Sequence, residues 1–218
     1  HAPQTKLDAI ERLGGSVIKV PFERWWQALE EGAYPGVEGL FVHPVADDAV
    51  MAGNGTIGLE LVEDLDAIDT VLVPWGGGGL TTGIASALHA LSPRTRVFAC
   101  EPETGAPLAA SLAAGEPVVV DYTPSFVDGA GSRALLPSMW ERAQPLLAGA
   151  FTLSLDETAA AVRLLAERAR VIAEGAGALS VAAAMSGRAG GGRIVCVVSG
   201  GNIDASRLAA ILECRTPA

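Results

Sequence analysis

The sequence predicts an α/β fold, a parallel-rich sheet covered by helices on both faces, and three observations carry that prediction. Short runs of β-branched and apolar residues alternate with segments of helical spacing along the chain. The strand runs are apolar throughout rather than alternating, as strands buried on both faces must be. Four consecutive glycines, Gly76–Gly79, follow one such run directly. The 218 residues are 50% hydrophobic and 18% charged, enough to bury a sizeable core. A formal net charge of −10 argues against nucleic acid or an anionic membrane as partner, since both need a basic face. No apolar run approaches the ~18 residues of a membrane span. Cys100, Cys196 and Cys214 are scattered and odd in number, which fits buried thiols in a reducing cytoplasm better than a disulfide or metal framework.

Taken in order, Pro3–Leu13 places Leu7, Ile10 and Leu13 on one helical face and stops at Gly14-Gly15. Ser16–Val20 reads as a short strand. Phe22–Glu31 has helical spacing, with Trp25 and Trp26 expected to pack in a core or interface. Tyr34-Pro35-Gly36 breaks the pattern, so the chain divides into 1–36, the remainder of a small domain, and 37–218, a large domain. Gly39–Val42 is the next strand reading, ending in His43-Pro44, where the histidine is expected to fix a turn rather than do chemistry. An acidic loop over Ala46–Met51 precedes Ala52–Thr56, whose glycines suggest close backbone approach, and a helix over Ile57–Leu65.

Thr70–Gly83, TVLVPWGGGGLTTG, organises everything else. Val71, Leu72 and Val73 form a buried strand, Pro74 ends its ladder, and Leu80–Ala90 is helical. Strand, glycine loop and helix together aim backbone N–H groups and a helix dipole at one spot, which suits a phosphate. Glycine suits that loop because a Cβ would hold the anion away. Arg96–Cys100 is the following strand, then Glu101-Pro102 and a helix near Ala106–Ala114. Val118–Val120 reads as a further short strand, Ser125–Ser132 as a glycine-bearing loop, Pro137–Leu147 as a helix and Phe151–Leu153 as a strand. Ser154-Leu155-Asp156-Glu157 is a capping box opening a helix to about Arg170. Glu174–Gly177 interrupts before a helix to Met185. Ile194–Val198 is the last strand, ending in Ser199-Gly200-Gly201-Asn202 before a helix over Ser206–Leu212. In a parallel sheet ligands bind at the carboxyl ends of strands. The glycine loop, His43, Glu101 and Ser199 all fall at such ends, so they are expected to line one crevice.

A dinucleotide is one candidate ligand: Gly76 and Gly78 fit the first two glycines of its fingerprint, and Glu101 stands at the end of the next strand for a ribose. Thr81 occupies the third glycine position, which counts against it. A P-loop is excluded, because no lysine follows Lys19.

Six segments, VPWGGGGL, FVHP with VMAGNGTIGLE, CEPETGAP, SFVDGAGS, EGAGALS and CVVSGGNID, carry a resemblance to the serine/threonine dehydratase group of fold type II pyridoxal-phosphate enzymes, which includes serine racemase. The resemblance covers nearly the whole chain from His1. It implies a fold like the tryptophan synthase β large domain and pyridoxal 5'-phosphate as cofactor. It also implies β-elimination from a small hydroxy amino acid, such as L-serine or L-threonine, to a 2-oxo acid and ammonia, in a cytoplasmic homodimer.

By the same resemblance, Gly76, Gly77, Gly78, Gly79 and the Leu80 amide cup the cofactor phosphate, and the Ser199 hydroxyl meets the pyridine nitrogen. A helix N-cap is the other reading of Ser199. Glu174 matches an acid near the ring, with a capping role as its alternative. Asp128-Gly129 matches a loop at the cofactor edge, contributing backbone. Glu101 and the Gly105 carbonyl match a mono- or divalent cation site, but Pro107 stands where an acid is usual, so one oxygen ligand is missing. No catalytic lysine is identified: Lys6 and Lys19, the only two, lack the Ser-x-Lys context and read as surface residues. The Schiff-base lysine is expected upstream of His1, in an N-terminal segment or a second chain. The alternatives are a non-catalytic phosphate-ligand-binding subunit or the NAD-binding half of an oxidoreductase.

Overall fold

A computed structural model describes residues 4–217, with the side chain of Phe22 excepted. Pro3, where the first helix reading begins, lies outside the described residues. Four strands, β1 (Thr70–Pro74), β2 (Arg96–Pro102), β3 (Gly149–Leu153) and β4 (Ile194–Cys196), form one sheet in the order β3-β2-β1-β4. Every pairing is parallel. The helices are α1 (Gln4–Arg12), α2 (Phe22–Glu31), α3 (Asp48–Asp64), α4 (Gly79–Leu91), α5 (Pro107–Ala114), α6 (Pro137–Ala143), α7 (Leu155–Leu164), α8 (Gly175–Met185) and α9 (Ala205–Leu212).

Both faces of the sheet are covered, as the unbroken apolar strands require. Leu72 and Cys100 join Val162, Ala178, Leu179 and Ile211 in a core built with α7, α8 and α9. Val71, Val73 and Val97 point the other way, onto Ile84, Ala85 and Leu88 of α4. There α4 crosses α3 closely: a Cβ at Gly58 would come within 2.8 Å of the Ala87 methyl, and one at Gly55 within 3.1 Å of the Gly83 carbonyl. The close approach that the Ala52–Thr56 glycines suggested is therefore this helix crossing at Gly55, whereas a Cβ at Gly53 would meet nothing within 4 Å.

Three strand readings do not hold. Residues 16–20, 39–42 and 118–120 are irregular, and Leu40 is 91% exposed and Val42 55%. Apolar alternation signals a strand only where a neighbour supplies a ladder, and among the described residues these segments have none. The helix after the acidic loop starts earlier than expected, at Asp48, because the Asp47 carboxylate accepts the N–H groups of Ala49 and Val50 as an N-cap. Helix α7 carries the expected capping box between Ser154 and Glu157, and its far end widens into a π-helical turn over Leu165–Ala169. Trp25 is 46% exposed rather than a core residue. The apolar side of α1 is only partly covered: Leu7 is half-buried, Ile10 is 44% exposed, and Leu13 just past the helix is 85% exposed. That helix is tied down instead by polar contacts, Thr5 to Asp204 and Lys6 to Asp128.

Candidate cofactor site

The sheet order creates the site. From β1 the chain steps through β2 to β3 on one side and then returns to β4 on the other side of β1. In parallel sheets ligands bind at the carboxyl ends where the strand order reverses in this way. The register Leu72 with Cys196, followed by the Val197 amide donating to the Leu72 carbonyl at 3.0 Å, leads the chain toward Ser199 at the same sheet edge as the glycines.

The loop after β1 is locked from behind. The Trp75 amide donates to the Cys100 carbonyl at 2.8 Å, extending the ladder past Pro74, and the Thr81 hydroxyl donates to the Pro74 carbonyl at 3.0 Å. Gly78 is the N-cap of α4 with φ of +100°. A Cβ there would lie 2.7 Å from Cζ2 and 2.9 Å from Cζ3 of the fully buried Trp75 ring. Gly77 and Gly79 back onto Val45, whose carbonyl would be 2.6 Å from a Gly79 Cβ. The N–H groups of Gly76, Gly77, Gly78, Gly79 and Leu80 find no acceptor among the described residues. Free amides at the first turn of a 13-residue helix form an anion cup.

Three further segments close on this cup. Gly76 abuts the 129–130 backbone, with a Cβ position 3.0 Å from the Gly129 carbonyl. A Cβ built on Gly129 would in turn lie 3.3 Å from Glu174 Oε1. The Glu174 amide donates to the Gly200 carbonyl at 3.0 Å, and Gly177 meets the Gly200 amide nitrogen at 3.0 Å from its Cβ position. Glu174 thus stands where the 128–131 loop, the start of α8 and the 199–201 loop converge. It occupies the N-cap position of α8 but makes no capping hydrogen bond, which removes the capping reading. Ser199 is exposed and is not a helix cap either: Asp204 holds that position for α9. Its hydroxyl has no partner among the described residues.

Lys6 corrects the surface assignment. Its side chain is 23% exposed, and its ammonium lies 2.9 Å from Asp128 Oδ1 and 3.0 Å from Glu174 Oε2. The second contact is an ion pair without hydrogen-bond geometry, so Glu174 Oε2 stays buried with no hydrogen bond. Burial pulls the Lys6 pKa down, and the hydrogen bond to Asp128 with the negative charges of Asp128 and Glu174 outweighs it, so the pKa ends above its ordinary value. Asp128 therefore contributes a carboxylate and not backbone alone. Nothing in the local sequence marks Lys6, because its partners lie more than a hundred residues away.

Two expected members of the crevice are engaged elsewhere. His43 Nδ1 accepts the amides of Val45 and Ala46 at 3.0 and 2.9 Å, fixing the turn beside the glycines as anticipated. Glu101 is fully buried, and its two oxygens accept Leu108 N at 3.0 Å and Ala109 N at 2.8 Å, capping α5. Burial pushes its carboxyl up to about 7 against the pull of those two amides. Its oxygens are thus spent on α5, which leaves no ribose acid at this strand end. The Gly105 carbonyl accepts Ser132 N at 3.3 Å. Among the described residues no three or more His, Cys, Asp or Glu side chains cluster to hold a metal ion, and at the Glu101–Gly105 position one carboxylate, already accepting two amides, stands beside a backbone carbonyl.

An α/β domain with an anion cup at the helix N-terminus of its switch point, an unpaired hydroxyl beside it and an acid at its mouth is the build of a phosphate-cofactor-binding domain. Over residues 1–200 the chain matches the family described as pyridoxal-phosphate dependent enzyme, and it belongs to that family. It is 35% identical to the L-threonine ammonia-lyase of Thermotoga maritima over 98% of this chain and 54% of the relative. It is 39% identical to the catabolic L-threonine dehydratase of Escherichia coli K12 over 79% of this chain and 54% of that enzyme. Among solved structures, maize serine racemase superposes with a TM-score of 0.82 at 30% identity, covering 98% of this chain and 67% of the racemase. The processed threonine deaminase isoform 2 of Solanum lycopersicum also gives 0.82, at 29% identity, covering 97% and 63%. The chain thus spans about half the length of the curated relatives it matches. Among the described residues no helix is long and apolar enough to cross a membrane.

Proposed function

We propose that this chain is the cofactor-binding portion of a pyridoxal 5'-phosphate-dependent ammonia-lyase that converts L-serine or L-threonine to a 2-oxo acid and ammonia. The observation that carries the reading is the set of free amides at Gly76–Leu80 at the carboxyl end of β1, the sheet edge to which β4 also leads the chain. Gly76, Gly77, Gly78, Gly79 and Leu80 would hold the cofactor phosphate, and Ser199 its pyridine nitrogen. When bound, the cofactor supplies an electron sink for the bond-breaking at the substrate Cα. A neutral serine rather than a carboxylate leaves the ring nitrogen largely unprotonated, which tempers that sink and favours elimination over long-lived carbanion chemistry. Glu174, at the mouth of the cup, is positioned to accept or hold a proton near the ring. Lys6 is committed to two carboxylates and Lys19 is exposed, so the reactive amine is assigned to a lysine outside these 218 residues. The active protein is read as a cytoplasmic homodimer by family resemblance.

The test is to supply cofactor and L-serine or L-threonine and follow 2-oxo acid, then reduce with borohydride and take intact and peptide masses. Oxo-acid release with the pyridoxyl group on a lysine outside this sequence is expected. The engagement of Lys6 by two carboxylates and the exposed position of Lys19 support one second reading, a phosphate-ligand-binding subunit without chemistry. Cofactor binding with no oxo acid from any amino acid, whatever partner is supplied, would establish that instead. Cofactor trapped on Lys6 or Lys19 would overturn both.

A further inference from the structure

Among the described residues of segment 1–36, Lys6 reaches the candidate site. Lys6, on α1, reaches Asp128 at 2.9 Å and Glu174 at 3.0 Å, and these two acids belong to different walls of the crevice, the 128–131 loop and the start of α8. The neighbouring Thr5 donates to Asp204, at the N-cap position of α9 just after the 199–201 loop. Arg207, the other cation facing Asp128, is 4.0 Å from Oδ2, at the limit of an ion pair. Without the Lys6 ammonium, Glu174 and Asp128 would bring two negative charges together around a half-buried space with only a distant guanidinium to offset them. Like charges at such separation repel strongly where water is partly excluded. Glu174 Oε1 also packs against the Gly129 and Gly200 backbones, so displacing its carboxylate displaces the walls on either side of the cup.

We propose that Lys6 is a positioning residue of the cofactor site: its ammonium holds Glu174 and Asp128 together at the ring end of the crevice and makes that end depend on where α1 lies. The proposal rests on the cofactor reading of the site. The phosphate end is built from Gly76–Leu80 amides that Lys6 does not touch, so Lys6 acts on one end of the ligand only.

That asymmetry gives the test. Inorganic phosphate and pyridoxine 5'-phosphate, which lacks the aldehyde and cannot condense with an amine, are titrated against the protein and its Lys6→Met, Lys6→Arg and Lys19→Met variants. In Lys6→Met, pyridoxine phosphate affinity is expected to fall about tenfold, the scale of one partly screened charge pair, while phosphate affinity holds. Lys6→Arg should restore most of the loss, and Lys19→Met should change neither. Loss of both ligands in Lys6→Met, or of neither, overturns the proposal. Failure of the unaltered protein to bind either ligand refutes the cofactor reading itself, a distinct result. Should Lys6→Met not fold, acetylation of the unaltered protein serves. With only two lysines to compare, Lys6 should react more slowly than Lys19 and be slowed further by pyridoxine phosphate but not by phosphate. Equal rates, unmoved by ligand, overturn the proposal.

Discussion

Gly78→Ala tests the architecture of the cup most directly. The residue has φ of +100°, where a Cβ costs roughly 1–2 kcal/mol by backbone sterics. The new methyl would also sit 2.7–2.9 Å from two carbons of the Trp75 ring, and closer to Cη2. Trp75 cannot yield cheaply: it is fully buried and packs with Leu108, Leu135 and Ala143. Overpacking of this kind adds about 1–3 kcal/mol, so a total near 3 kcal/mol is expected, or a melting midpoint roughly 6–12 °C lower for a domain of this size. Thermal melts with and without 10-fold-excess pyridoxine phosphate, and phosphate titration calorimetry, read the two consequences, lost stability and a weakened cup. Trp75→Leu in the same background should return about 1–2 kcal/mol of the overpacking but none of the φ cost, visible as non-additivity in a double-mutant cycle. A Gly78→Ala protein melting within ~1 °C of the parent with unchanged phosphate affinity would refute the reasoning, as would strict additivity of the two changes.

Glu101, with its carboxyl pushed up to about 7 from an ordinary 4.5, binds more protons folded than unfolded between those values. Stability should therefore fall as pH rises from 4.5 to 7, by up to about 3 kcal/mol, and stay level above; urea melts of Glu101→Gln should lose that slope. Ser199→Ala should leave the melting midpoint unchanged, because the hydroxyl is exposed and unpaired, yet weaken pyridoxine phosphate several-fold for one lost hydrogen bond of about 1 kcal/mol; unchanged affinity would remove Ser199 from the site. Ser154→Ala breaks the capping box at the start of α7, and calorimetry should show about 1 kcal/mol or 2–4 °C of destabilisation with ligand affinity intact.

The local sequence by itself determined the parallel α/β class, the β1–glycine–α4 anion cup, the Ser154 capping box and the turn role of His43. Each of these is written in residues close together in the chain: apolar runs, a block of glycines at a strand end, a cap three residues from its partner. Tertiary structure decided the rest. Residues 16–20, 39–42 and 118–120 have strand composition but no ladder partner among the described residues, and pairing is not a local property. Glu101 stands at a strand end like a ligand residue, yet its oxygens are taken by α5, whose amides arrive from the far side of a turn. Lys6 looked like any surface lysine until α1 set it between Asp128 and Glu174. Charge pairs across such sequence distances leave no periodicity or spacing to read, because the chain need only bring the partners together in space.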